Sequence, residues 1–394
     1  MGVISSLGKS PAEIQASLLQ GRVAFERPDF DQEVVISPVR HFDLRHYTGA
    51  FKEKRYLNRG AAFALASALE ATRESGLAHD NLTRAGLFVG AGPHLDIGTE
   101  FPEITDGRLD RGKVDALWIL RFLPNTAASV IAKTCGVRGE NLTIGTACAA
   151  TLSAVGEAYR RIRDGYLDFA LAGGGDSRAH PGGILAYKTA GALFRGEGDP
   201  DGSSRPFDEN RGGFVSGEGG AFFVLEERDH ALNRGAAILG EIAGYGNTMD
   251  GHRMTAPAPD GKMAGEAVRK AMLEAGVSAS EIDFIATHGT STVLNDHVEA
   301  KIIQDLFPGK TPAVIALKSW IGHLSTACGA VELAIIMAAQ AMDYLPKIRN
   351  LDLPCAEGID FVHTGRHVKG NTFIIENFGF GGQNAALVIK RQEA

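Results

Sequence analysis

Thr146-Ala-Cys148-Ala-Ala and Thr326-Ala-Cys328-Gly-Ala are two small-residue runs, each opening an apolar helical stretch, Leu152 to Arg163 and Val331 to Met342. The first follows a short β-like run, Thr143-Ile-Gly, so the chain turns sharply from strand to helix at Cys148. This echo has two readings: one α/β unit present twice, or small residues chosen twice where helices pack tightly. The surrounding pattern sets the class. Short apolar runs at Ala85 to Gly90, Phe169 to Gly175, Ala221 to Leu225, Phe284 to Ala286, Ala313 to Leu317 and Thr372 to Glu376 alternate with helical stretches such as Ala61 to Ser75 and Met263 to Ala275. The alternation predicts an α/β protein with mostly parallel sheets covered by helices. No low-complexity linker separates domains.

Composition narrows the function classes. A hydrophobic content of 44% supports a large core, and the 49 glycines fall at short turns, as frequent strand–helix connections require. A net charge of −7 argues against general nucleic-acid binding. Four cysteines (Cys135, Cys148, Cys328, Cys355) without C-x-x-C spacing form neither a disulfide framework nor a metal motif. No apolar run is long enough to span a membrane, and no secretory signal pattern opens the chain, so the expected compartment is the cytoplasm.

Four motifs carry candidate chemistry. In Thr143-Ile-Gly-Thr-Ala-Cys148-Ala-Ala the cysteine sits at a helix start, where unpaired N–H groups favour thiolate and the Cys148 N–H can support an oxyanion. In Ile285-Ala-Thr-His288-Gly-Thr-Ser-Thr292 a histidine leaves the end of a strand beside hydroxyl residues that suit a polar, extended ligand or an ordinary turn. In Lys318-Ser-Trp-Ile-Gly-His323 a second histidine stands at the mouth of an apolar helix that holds Glu332, and a buried Glu332 needs a partner such as Lys318. In Asn377-Phe378-Gly-Phe380-Gly-Gly-Gln-Asn384 three glycines permit close backbone approach to a ligand, and a following strand rather than a helix disfavours a phosphate cradle. Gly8-Lys-Ser10 lacks the glycine at position 3 that a phosphate-binding loop needs.

In this order and spacing, the four motifs resemble the β-ketoacyl–acyl-carrier-protein synthases of the thiolase superfamily, in their elongating Cys–His–His class. Met1-Gly-Val-Ile-Ser-Ser-Leu-Gly8 and Arg205-Pro-Phe-Asp208-Glu-Asn-Arg211-Gly-Gly-Phe-Val-Ser-Gly-Glu218-Gly extend the likeness over nearly the whole chain. The resemblance implies a thiolase-like fold, two duplicated α/β halves in α-β-α-β-α layers. We set the halves at residues 1–240 and 241–394. It implies Cys148 as nucleophile, His288 and His323 as donors to an enolate, and Lys318 and Glu332 as the charges around His323. It further implies that Thr290 and Thr292 bind the phosphopantetheine arm, that Phe380 gates beside Phe378, and that Trp118 shapes the acyl tunnel. Phosphopantetheine would arrive on the acyl-carrier protein, with no resident cofactor and no metal. An acidic carrier protein would dock on Lys52, Lys54, Arg55 and Arg59. The partner subunit would be a second copy or a related chain.

Three departures stand out. The family's first strand is expected to be missing or truncated, Gly212 stands where relatives often carry aspartate, and Cys328 occupies a position usually held by a smaller residue. Degradative thiolases carry a second catalytic cysteine in the Gly-rich loop, absent here. Initiating ketosynthases carry asparagine where His323 stands, and non-catalytic partner subunits usually lack the cysteine.

Overall fold

In the computed structural model the described residues are 1–95 and 116–391, together with the backbone of Ile104–Thr105 and Arg108–Leu109. Two main sheets follow a path of five strands each, and the first carries a sixth, short strand off that path, Ile36–Ser37, which pairs parallel with Ser216–Gly217. The first contains β1 (Gly2–Ile4), β2 (Gly86–Gly90), β3 (Asn141–Ile144), β4 (Phe169–Ser177) and β5 (Ser216–Glu226). The second contains β6 (Glu241–Met249), β7 (Phe284–Ala286), β8 (Ala313–Ile315), β9 (Thr372–Gly379) and β10 (Gln383–Lys390).

Strand order is β1-β5-β4-β2-β3 in the first sheet and β6-β10-β9-β7-β8 in the second. In both sheets the first two neighbour pairs are antiparallel and the last two parallel. One topology therefore occurs twice, and this decides between the two readings of the Thr-Ala-Cys echo. Both sheets are mixed rather than mostly parallel. β9 and β10 are joined by the tight Gly-rich turn after Gly379, and a hairpin needs no helical crossover. A strand does stand at the expected place: Gly2–Ile4 pairs antiparallel with Phe222–Gly220.

Helices complete the layers. Helix α1 (Arg59–Ser75) lies on the outer face of the first sheet, and α3 (Lys262–Ala275) with α4 (Val293–Leu306) on that of the second. Between the sheets run α2 (Ala150–Arg163) and α5 (Cys328–Gln340), each touching both. The sequence dictates this placement. α1 and α3 bury one face, whereas nearly every residue of α5 is buried, as a helix apolar all round must be. α2 and α5 approach through small residues: a Cβ on Gly329 would stand 2.6 Å from the Leu152 side chain, and Thr151 Oγ1 accepts the Ala330 N–H at 3.1 Å. Because both Thr-Ala-Cys runs open these central helices, both cysteines lie between the sheets.

The outer layer is as tightly set. A Cβ on Gly246 in β6 would lie 1.8 Å from the Ala267 carbonyl oxygen of α3. We expect Gly246→Ala to cost about 1–3 kcal/mol, the usual range for overpacking; a urea unfolding midpoint equal to that of the unaltered protein would refute this close approach.

Candidate active site

Cys148 follows β3 in a single 3-10 turn, Ala147–Ala149, which feeds directly into α2. The turn is strained: Ala147 sits at φ 47°, in the left-handed region that non-glycine residues avoid. The Ala149 N–H closes the turn onto the Thr146 carbonyl at 3.0 Å. From the other sheet the Gly-rich loop presses against it. A Cβ on Gly379 would sit 2.8 Å from the Thr146 oxygen and 3.0 Å from the Cys148 nitrogen, so only glycine fits there. The Phe380 N–H then points at the Cys148 thiol.

Two buried histidines complete the centre. Their ligand atoms and the thiol of Cys148 all lie within 4.8 Å of one another. The imidazoles meet edge to face, with ring centroids 5.6 Å apart, and Phe214 packs 4.6 Å from the His323 ring. Phe378 lies beside His288 at 6.0 Å.

Hydrogen bonds fix the tautomers. His323 Nδ1 accepts the Ser325 N–H at 2.9 Å, so its proton resides on Nε2. His288 Nδ1 faces the Asn377 amide nitrogen at 3.4 Å. That amide is oriented by Glu332, whose Oε2 accepts from the same nitrogen at 2.9 Å. Turning the amide over would set two oxygens against each other, so His288 also carries its proton on Nε2. A cysteine and two histidines this close would in other settings suit a zinc ion. A metal-bound histidine donates through its second ring nitrogen; here both second nitrogens accept, which makes the pair hydrogen-bond donors.

Lys318 and Glu332 govern the charge. Lys318 Nζ lies 2.6 Å from Glu332 Oε1, and both side chains are buried. Burial opposes the Lys318 charge, yet Glu332 more than compensates and raises its pKa. Burial pushes Glu332 up while the ammonium and Asn377 pull against it; the contacts describe an ammonium–carboxylate pair. The same ammonium depresses both histidines: burial first, and Lys318 second, hold His288 and His323 well below 6.5, so both are neutral at physiological pH.

The thiol departs from expectation. A helix start predicts a lowered Cys148 pKa, but burial pushes it up to about 11, with Lys318 and the Phe380 N–H acting against that rise. Desolvation outweighs the helix end because the thiol lies between the sheets. Cys328 is likewise raised by burial; its sulfur stands 3.6 Å from His323 Nδ1.

Several contributors escaped the sequence reading. Glu299 of α4 accepts the N–H groups of His288 at 2.5 Å and Gly289 at 2.8 Å. Asp296 of the same helix accepts those of Thr290 and Ser291. Together they clamp the His288 loop, which contains a left-handed Ser291 at φ 67°. Burial, and then Glu299, push Glu376 far up, so Glu376 keeps its proton. The signal available was two acids three residues apart just after the Thr292 cap, where one helix face could reach back to the loop. Arg211, from the mid-chain signature, donates to the Thr292 and Val293 carbonyls, and Glu218 binds Arg59 and Ser177.

Other anticipated residues have different surroundings. Thr290 and Thr292 hydrogen-bond each other at 2.9 Å, and Thr292 caps α4. Trp118 stands in the short 3-10 helix Trp118–Arg121, half-buried against Phe122 at 5.4 Å. Of the anticipated docking residues, Lys52, Lys54 and Arg55 share the exposed 3-10 helix Lys52–Tyr56. Arg59 instead begins α1 and turns inward: its guanidinium grips Glu218 at 2.6 and 2.8 Å and the Val39 carbonyl at 2.8 Å, so it is committed to the fold.

This geometry can be set beside known proteins. Residues 1–231 match the β-ketoacyl synthase N-terminal domain, and residues 239–352 its C-terminal domain. The chain belongs to the β-ketoacyl synthase family. It is an acyltransferase-class condensing enzyme with the thiolase-like α/β fold. It is 33% identical to 3-oxoacyl-[acyl-carrier-protein] synthase 2 of Vibrio cholerae, across 99% of this chain and 97% of the relative. It is 32% identical to 3-oxoacyl-[acyl-carrier-protein] synthase 1 of Haemophilus influenzae, over 99% and 97%. Among solved structures, the ishigamide ketosynthase/chain length factor is similar with a TM-score of 0.89 at 31% identity, covering 100% of this chain and 98% of that one. A type II PKS acyl-carrier protein in complex with its ketosynthase bound to the hexaketide is similar with a TM-score of 0.87 at 25% identity, over 100% and 98%.

The buried pair provides a direct test. Lys318→Met leaves the Glu332 charge without its partner and should cost about 3–5 kcal/mol. Lys318→Met with Glu332→Leu should recover much of that loss in chemical denaturation while malonyl decarboxylation stays impaired. A double variant no more stable than Lys318→Met would show that the two residues do not act as a pair.

Proposed function

We propose that this ketosynthase condenses malonyl–acyl-carrier protein with an acyl chain held on Cys148, releasing carbon dioxide and a 3-oxoacyl–acyl-carrier protein. The observation that carries this reading is the pair of imidazoles, each neutral and protonated on Nε2, converging on one thiol. The Cys148 sulfur attacks the carbonyl of an incoming acyl thioester and its proton passes to the departing pantetheine sulfur. The N–H groups of Cys148 and Phe380 stabilise the oxyanion. Malonyl–carrier protein then loses carbon dioxide, and the electrons of the broken C–C bond form an enolate. Its oxygen accepts from the Nε2–H groups of His288 and His323. The enolate carbon attacks the acyl carbonyl, the Cys148 thiolate leaves and regains a proton, and the chain is two carbons longer. Burial, and then Lys318, keep both imidazoles neutral, as donation rather than protonation requires.

In this proposal Thr290 and Thr292 line the pantetheine approach, Phe380 gates the site beside Phe378, and Trp118 borders the acyl tunnel. Residues 1–240 and 241–394 are the duplicated halves. The subunit pairs with a second copy across the free edge of β3, where Leu142 is exposed next to the nucleophile turn. A heterodimer in which this chain is the active half uses the same site, and native mass of the chain expressed alone separates the two. All four cysteines are free, which fits a cytoplasmic setting, and no described helix is long and apolar enough to cross a membrane.

Intact-mass analysis with acyl–carrier proteins tests the nucleophile. Cys148→Ala should abolish the acyl adduct and Cys328→Ala should retain it; an adduct surviving on Cys148→Ala overturns the assignment. Carrier docking on Lys52, Lys54 and Arg55 is tested separately. Lys54→Glu with Arg55→Glu should raise KM for acyl–carrier protein about tenfold and leave hydrolysis of small thioesters as it was. Equal losses on both substrates would remove the docking role.

A further inference from the structure

The His323 tautomer is set by the turn that follows it, and that turn is held from elsewhere in the chain. Ser325, whose N–H donates to His323 Nδ1, sits at φ 51°, in the left-handed region that non-glycine residues avoid. Two side chains reach the turn from outside. Asp176 Oδ2, near the end of β4, accepts the Thr326 N–H at 3.2 Å and the Thr326 hydroxyl at 2.8 Å. The Tyr187 hydroxyl, from the helix Pro181–Thr189, donates to Ser325 Oγ at 2.9 Å. Burial pushes the Tyr187 pKa up, so the phenol stays protonated and able to donate.

Tyr187 also bears on His323 through its ring. The ring meets Phe214 edge to face with centroids 5.1 Å apart, and Phe214 lies 4.6 Å from the His323 ring. The next residue, Val215, accepts the His323 N–H through its carbonyl at 2.7 Å. One side chain thus touches both the aromatic neighbour of the imidazole and the residue that places its proton.

We propose that Tyr187 is a positioning residue for the decarboxylation step: its hydroxyl pins Ser325 in the left-handed conformation from which the Ser325 N–H keeps the His323 proton on Nε2. The inference rests on the enolate-donor role of His323 proposed above. Without the hydroxyl, Ser325 relaxes toward ordinary backbone angles and its N–H leaves Nδ1. The imidazole then divides between two tautomers, and only one of them presents a proton to the enolate oxygen. Acylation of Cys148 draws on the N–H groups of Cys148 and Phe380 and not on His323, so it is spared.

The full-length protein and its variants would be followed in two assays: release of carbon dioxide from malonyl–carrier protein, and adduct formation on Cys148 from an acyl–carrier protein by intact mass. Tyr187→Phe keeps the ring on Phe214 and removes only the hydroxyl. It should lower kcat for decarboxylation about tenfold, part of what loss of a whole oxyanion donor costs, and change acylation by less than about twofold. Glycine adopts the left-handed conformation without help. In a Ser325→Gly background, Tyr187→Phe should therefore change decarboxylation by less than about twofold. Unchanged decarboxylation in Tyr187→Phe overturns the proposal. So does an equal loss in both assays, the mark of a merely structural tyrosine. A tenfold loss repeated in the Ser325→Gly background overturns it too, because the hydroxyl would then not act through Ser325. If Ser325→Gly is inactive, the split between the two assays in Tyr187→Phe decides alone. Absence of both decarboxylation and adduct in the unaltered protein would remove the functional reading, and this proposal with it.

Discussion

A lysine ammonium and a glutamate carboxylate lie 2.6 Å apart in the core between two sheets, and the chemistry of the site depends on them. Removing two charges from water is costly, and a well-packed apolar pair would commonly hold the fold as well or better. The pair therefore makes sense through what it does to its neighbours. Glu332 turns the Asn377 amide so that its nitrogen faces His288, while Lys318 adds to burial in keeping both imidazoles from taking up a proton. One electrostatic contact thus sets the tautomer of one histidine and helps set the charge of two.

Duplication explains where that contact can stand. Both sheets repeat one strand order, and both send a Thr-Ala-Cys run into a central helix. The halves differ in what reaches each cysteine. Cys148 receives the Gly-rich loop, through Gly379 and the Phe380 N–H, and two histidines from the second half. Cys328 is fully buried with its sulfur against the back of His323, facing the Nδ1 that Ser325 already occupies. Two equivalent positions thus have different surroundings: one thiol meets two imidazoles, and the other packs behind His323.

The motifs were legible because each couples a strand end to residues with few other uses there. Cys148, His288, His323 and the Lys318–Glu332 pair all stand in such places, and the strands and helices around them follow from apolar periodicity. Sheet direction was not legible: alternation of strand and helix suggests parallel pairing, whereas the β9–β10 hairpin depends on a turn whose glycines read equally well as a ligand loop. The clamp formed by Asp296 and Glu299 was hidden for a related reason. Acids in the first turns of a helix ordinarily stabilise its N-terminus in solvent, and only the packed structure reveals that these turn inward to backbone N–H groups. Arg59 shows the converse. Its neighbours Lys52, Lys54 and Arg55 share its charge and exposure, but its destination, Glu218, lies far away in sequence. The Cys148 pKa failed for want of depth, since a sequence shows a helix start but not how far that start lies from water.

That depth completes the physical picture. Burial raises the thiol to about 11 and depresses both imidazoles, so the three clustered groups are all uncharged at neutral pH. Lys318 places a positive charge among them, beside the carboxylate that pairs with it. A neutral centre of this kind is a poor place to hold a free thiolate and a good place to receive a charge that forms during reaction. An enolate produced by loss of carbon dioxide would find two oriented N–H donors already in position, with no reorganisation of solvent needed to meet it.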